Sequence, residues 1–192
     1  MFWWEDGSLT FSLRRKKQEH TGSLDIDAAL DFRNISSETY STILELLRER
    51  GYDYEETDQP YIFNRTVKTE SGAPVTVKIN LLADEYGGTS KSHRTQKVQD
   101  VKARKARGCD LAFNQNISFA LSKRMPDGAI NEVSIKIADI VPFLVMKGMA
   151  LWDRYKEKDA YDIYFSILYY PGGIEKLVNV FQPFTDRHGV RS

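Results

Sequence analysis

The chain has 192 residues, 41% apolar and 28% charged, an ordinary globular make-up long enough for one compact domain. Lysine plus arginine balance aspartate plus glutamate, 27 against 27, so global charge argues for neither a nucleic-acid nor a membrane partner, and the single Cys109 excludes an internal disulfide framework. No apolar run reaches the roughly 18 residues of a membrane span, Met1-Phe2-Trp3-Trp4 runs straight into Glu5 and Asp6 unlike a signal peptide, and His20, His93 and His188 match no zinc spacing, so a soluble cytoplasmic protein is expected.

In the first patterned stretch Leu24, Ile26, Ala28, Leu30 and Phe32 alternate with Ser23, Asp25, Asp27, Ala29 and Asp31, the period of a half-buried strand with one acidic edge. A solvent-facing polar strand and a metal site both fit that pattern. Asp25 and Asp27 leave the same side with Cα atoms about 7 Å apart, and carboxylates so placed can converge on magnesium.

The run "NISSETYSTILELLRERGY" reads as a helix capped by Ser36 or Ser37, with Tyr40, Ile43, Leu44 and Leu47 on one face and Gly51 as its stop. Segments starting at Tyr61 and Val75 flank Ser-Gly-Ala-Pro and predict a hairpin. In its second arm Val75, Val77, Ile79 and Leu81 point one way and Thr76, Lys78 and Asn80 the other. From Gly87 to Arg107, Lys91, Arg94, Lys97, Lys102, Arg104, Lys105 and Arg107 stand against Asp100 alone, as a solvated loop and helix face or as a phosphate-contacting patch.

A second hairpin is predicted from Asn116 to Ala138, turning at Pro126-Asp127-Gly128. Asp139 then caps a helix that carries Pro142 in its first turn and runs to about Arg154. Another follows from about Asp159 to Tyr170, stopped by Pro171-Gly172-Gly173, and a last short one covers Ile174 to Phe181. The order is that of an α+β protein with a C-terminal helical part.

Lys147 and Arg154 are seven residues apart on one helix face, and Asp159 and Asp162 are three apart on the next helix. Asp159 reads equally as an N-cap. Asp162, between Tyr161, Ile163 and Tyr164, needs a partner, for which Lys147, Arg154 and Lys158 are available. Tyr161, Tyr164 and Phe165 read as core.

Together "GSLDID" and "KGMALWDRYKEKDAYDIY", within Thr21 to Leu168, give a chain that resembles the DNA-polymerase-β-like nucleotidyltransferase superfamily, in its branch of AbiEii-type toxins of type IV toxin–antitoxin systems. The resemblance implies a nucleotidyltransferase-like mixed β-sheet with flanking helices. Residues 1–138 would form that core and 139–192 a helical part packed on it in the same compact unit. It also implies transfer of a nucleoside monophosphate from a nucleoside triphosphate to an acceptor. Asp25 and Asp27 would hold Mg2+, Ser23 would sit at the phosphates, Lys147 would neutralise phosphate charge, and Asp162 would act as base or final carboxylate near the acceptor hydroxyl. Asn80, Arg154 and Lys158 would complete the substrate site. An RNA acceptor such as tRNA would meet Arg94, Lys102, Arg104, Lys105 and Arg107, and an antitoxin protein is an implied partner.

Two positions depart from the family pattern. The Gly-Ser motif expected upstream of the acids is matched only by Gly7-Ser8, in a poor context that suggests an altered or missing segment, and the third acid is replaced by Asn80. A catalytically degenerate nucleotide- or RNA-binding member is therefore one alternative, and a metal-dependent nuclease using the same acids is another.

Overall fold

The structure, a computed structural model, describes residues 2–5, 8–11, 25–31, 33–34, 44–53, 59–68, 72–85, 95–98, 101–124 and 130–185. Over these residues it is a mixed α+β fold with one five-stranded sheet, two separate two-stranded ribbons and several helices. None of the described helices is long and apolar enough to cross a membrane.

Strands β1 (Phe2–Glu5) and β2 (Ser8–Phe11) pair antiparallel as the first ribbon. Ser8 therefore opens a strand, whereas the resemblance asks for a Gly-Ser on a helix, and Gly7 lies outside the described residues. The expected acidic strand is β3 (Asp25–Leu30). Ile26, Ala28 and Leu30 are its inward positions, and Asp25, Asp27 and Ala29 are exposed. Helix α1 spans 44–49 within the described residues. It ends where the sequence places its stop: Gly51 takes φ +75°, Tyr52 N–H donates to the Leu47 carbonyl at 3.0 Å, and Gly51 N–H donates to that of Arg48 at 2.9 Å. These two bonds satisfy carbonyls that a helix end leaves orphaned.

Strands β4 (Ile62–Lys68) and β5 (Pro74–Asp84) form the predicted antiparallel hairpin. β5 is the centre of the main sheet. It runs parallel to β3, with Asp27 opposite Asn80, and parallel to β7 (Val101–Ala106), with Leu82 opposite Arg104. Because β3 overlaps both β4 and β7 along β5, those two strands divide the opposite edge of β5 between them. β6 (Thr95–Val98) pairs antiparallel with β7 at the rim. The basic stretch expected as loop and helix is thus a β-hairpin over its described residues. Ala103, fully buried, is what decides this, since a small side chain seats β7 tightly against the core.

One face of the sheet builds the main core from Leu30, Phe63, Leu81, Ala83 and Ala103, with Leu44 and Leu47 of α1 packed on it. The other face carries Asp25, Asp27, Lys78 and Asn80. Towards its C-terminal end it is covered by α2 (Cys109–Asn114), which contacts β5 and α3. Gly108 opens α2 at φ +76°, a conformation glycine adopts without the usual Cβ penalty. A Cβ there would also lie 2.9 Å from Val145 Cγ1 of α3.

The second hairpin, β8 (Asn116–Arg124) and β9 (Ile130–Ala138), is observed in full register as a separate ribbon. Helix α3 (Ile140–Arg154) starts as expected: Asp139 Oδ1 accepts from Ile140 N–H at 2.7 Å, and Pro142 is buried in the first turn. α4 covers Glu157–Leu168 and α5 Gly173–Thr185. α5 continues past the predicted end at Phe181 and accommodates Pro183 in its last turn. Ile140, Val141 and Leu177 form a second core joining α3 and α5. Of the three aromatics read as core, only Phe165 is buried. Tyr161 and Tyr164 face outward along α4 because Asp159, Asp162 and Ser166 take the inner positions.

Candidate functional site

The late constellation assembles at the corner between α3 and α4. Arg154 closes α3, and Tyr155 then turns the chain in the left-handed region at φ 50°, the one non-glycine residue with positive φ among those described. The short turn brings the first turn of α4 back against α3. Arg154 Nε donates to Asp159 Oδ2 at 2.7 Å and Nη2 donates to Asp159 Oδ1 at 2.8 Å, a bidentate pair. Lys147 Nζ donates to Asp162 Oδ2 at 2.6 Å and to Asp159 Oδ1 at 3.3 Å.

Asp159 is therefore not an N-cap; Lys156 holds that position without a side-chain cap bond. It is the hub of the cluster, with its side chain only 2% exposed. The helix dipoles favour the arrangement, with a cation at the C-terminal end of α3 and a carboxylate in the first turn of α4. Lys147 also lies 5.8 Å from the Phe143 ring centroid. Two of its three N–H donors are engaged with the carboxylates, so its charge is already compensated within the cluster.

Burial opposes ionisation of Asp159, but the hydrogen bond from Arg154 and the Lys147 charge prevail, and its carboxyl is held below the ordinary value. Because the folded-state value lies below the unfolded one, the ionised form stabilises the fold fully above about pH 4. That contribution is lost as pH falls through the lowered folded value. Asp159→Asn is accordingly expected to flatten the acid limb of a Tm-against-pH profile below about pH 4. An identical acid limb in both proteins would assign the transition to another group.

The early constellation lies on the exposed sheet face. Asn80 Nδ2 donates to Asp27 Oδ1 at 2.9 Å, so the residue in the third-acid position meets Asp27 directly across the parallel pair. Lys78 stands in register with Asp25, and Asn64 with Lys78. Asn64 Oδ1 is buried without a hydrogen-bond partner among the described residues. Neither Lys78 nor Asn64 stands out in the sequence; only the register places them in the Asp25 row.

Arg154 is raised above its ordinary value chiefly by its hydrogen bond to Asp159, against the opposing effect of burial, with further support from the charges of Asp159, Asp27 and Asp162. Cys109 is pushed up to about 12 by burial first and then by Asp84, Asp110, Asp27 and Asp31. The buried thiol is poorly suited to act as a nucleophile at neutral pH.

No group of three or more His, Cys, Asp or Glu side chains able to hold a metal occurs among the described residues. Asp25 and Asp27 are two exposed carboxylates on one side of β3, hard oxygen donors of the type magnesium takes. Ser23 and Arg94 lie outside the described residues. Lys158 is exposed on the first turn of α4, and Lys102 and Arg104 are exposed on β7. Arg107 is engaged elsewhere: Nε donates to Glu85 Oε2 at 2.9 Å and Nη1 lies 3.5 Å from Asp153 Oδ1, tying the end of β5 to α3. Compared with protein-family models, curated proteins and solved structures, the chain shows no significant match.

Proposed function

We propose that the chain is a magnesium-dependent nucleotidyltransferase that moves a nucleoside monophosphate from a nucleoside triphosphate to an acceptor hydroxyl, with pyrophosphate leaving. The observation that supports this reading is the row on the exposed sheet face, where Asp25 and Asp27 leave one side of β3 with Lys78 in register with Asp25 and Asn80 Nδ2 donating to Asp27 Oδ1 at 2.9 Å. Such a transfer depends on in-line positioning and on positive charge around the phosphates, with little covalent help from the protein.

Asp25 and Asp27 would hold magnesium, which supplies counter-charge to the phosphate oxygens when bound. The Asn80 amide orients the Asp27 carboxylate through its hydrogen bond. Lys78 offers a cation in the Asp25 row. Lys147 can turn its remaining N–H towards a phosphate while Asp159 and Asp162 hold the ammonium in place. Asp162 is the carboxylate assigned to the acceptor hydroxyl. The test is incubation with magnesium, each radiolabelled nucleoside triphosphate and total RNA, protein or small-molecule acceptors. Label is expected on an acceptor and pyrophosphate in solution; neither appearing with any triphosphate would refute the reading.

Asn80 favours a second reading, a member that binds nucleotide without turnover. An amide that donates to Asp27 cannot replace a third anionic metal ligand. Asn80→Asp discriminates the two: acquired pyrophosphate release from an inert wild type identifies a decayed active site.

A further inference from the structure

We propose that the face of the β6–β7 hairpin shared with Asp27 is a binding strip for single-stranded nucleic acid. This rests on the nucleotidyltransferase reading only in making that strand the acceptor. The argument begins with strand parity. Asp27 is in register with Asn80, Asn80 shares a face with Leu82, and Leu82 is in register with Arg104. Arg104 and Lys102 therefore belong to the same sheet face as the candidate metal carboxylates. The antiparallel pair extends this face onto β6, setting Thr95 opposite Arg104 and Lys97 opposite Lys102. From ordinary strand dimensions, Arg104 lies about 7 Å along and about 10 Å across from Asp27.

Two lysines in directly opposed positions weaken a ladder, and neither β6 nor β7 contains an acid to offset them. Lys102 and Arg104 are exposed and form no ion pair with a described residue. In a chain whose basic and acidic residues are equal in number, this leaves local positive charge that a polyanion would satisfy. Lys102 and Arg104 are exposed in a line along β7, whereas a small phosphate is best held by donors converging on one point. A linear polyanion fits that layout. The same parity puts Lys105 on the opposite face, opposite Ala83, and Arg107 is held by Glu85 and Asp153. Neighbours in the basic sequence thus have different roles.

The experiment measures binding of a fluorescently labelled single-stranded RNA by anisotropy across a salt series. It compares the full chain with a Lys97→Gln/Lys102→Gln/Arg104→Gln variant and a Lys105→Gln control. Loss of three phosphate contacts is expected to reduce the slope of log K against log salt by about 2, at roughly 0.7 per contact for a single strand. Lys105→Gln is expected to leave the slope unchanged. The triple variant should melt no lower than wild type, because the opposed lysines are gone. No RNA binding by wild type at low salt, an unchanged slope in the triple variant, or an equal loss in Lys105→Gln would each overturn the proposal. So would loss of nucleoside triphosphate affinity with RNA binding intact, which would assign the strip to the triphosphate. RNA binding that behaves as expected without any label transfer supports the strip and refutes only the proposed catalysis.

Discussion

Asp27→Ala is expected to lower monophosphate transfer by at least about 100-fold, the scale of losing one preorganised electrostatic group from an active site. The carboxylate is exposed, and its described hydrogen bond is to Asn80, so its removal should change folding stability by less than about 1 kcal/mol. The contrast makes the test clean. Transfer measured beside thermal melting should show activity gone and Tm nearly unmoved. Transfer within a few-fold of wild type would remove Asp27 from the reaction, whereas a collapsed Tm would give it a structural role instead.

Lys147→Ala should carry a large loss of stability as well. It leaves Asp162 without the ammonium donor 2.6 Å away and strips Asp159 of one of its two cations, although both carboxylates are buried. Breaking a buried pair from one side costs about 3–5 kcal/mol, because the remaining charge stays desolvated. For a chain of this size that corresponds to a Tm lower by roughly 10 °C. Lys147→Ala/Asp162→Ala removes both members while Arg154 still serves Asp159, so the double variant should recover part of the loss. A double variant less stable by the full sum of the two singles would show that the pair is not coupled.

The local elements were legible because their signals are local. Gly51 ends α1 through a glycine-specific turn, and the alternation from Val75 to Leu81 gives the parity of β5 directly. The spacing of Lys147, Arg154, Asp159 and Asp162 also foretold shared faces, since helical geometry fixes which residues meet. What the local pattern left open depended on how the elements fold onto one another. Asp159 looks the same to local rules as a cap or as an ion-pair hub, and the choice is made by the Tyr155 turn that folds Arg154 onto it. In β7, Ala103 and the lysine-rich context suggest a helix by propensity; burial against Ala83 and Leu81 overrides that preference. Tyr164 belongs to the same apolar cluster of letters as Phe165 yet stands in solvent, because two carboxylates and a serine claim the inner stripe of α4.

The contact at Gly108 has a further consequence. The packing of the turn between β7 and α2 against the helix bearing Lys147 is gauged by the lack of a single methyl group, with Val145 waiting 2.9 Å from where it would go. Any side chain introduced there works as a wedge. Alanine at this one residue would be the smallest available tool for prising that turn away from α3, and leucine or valine would drive it further.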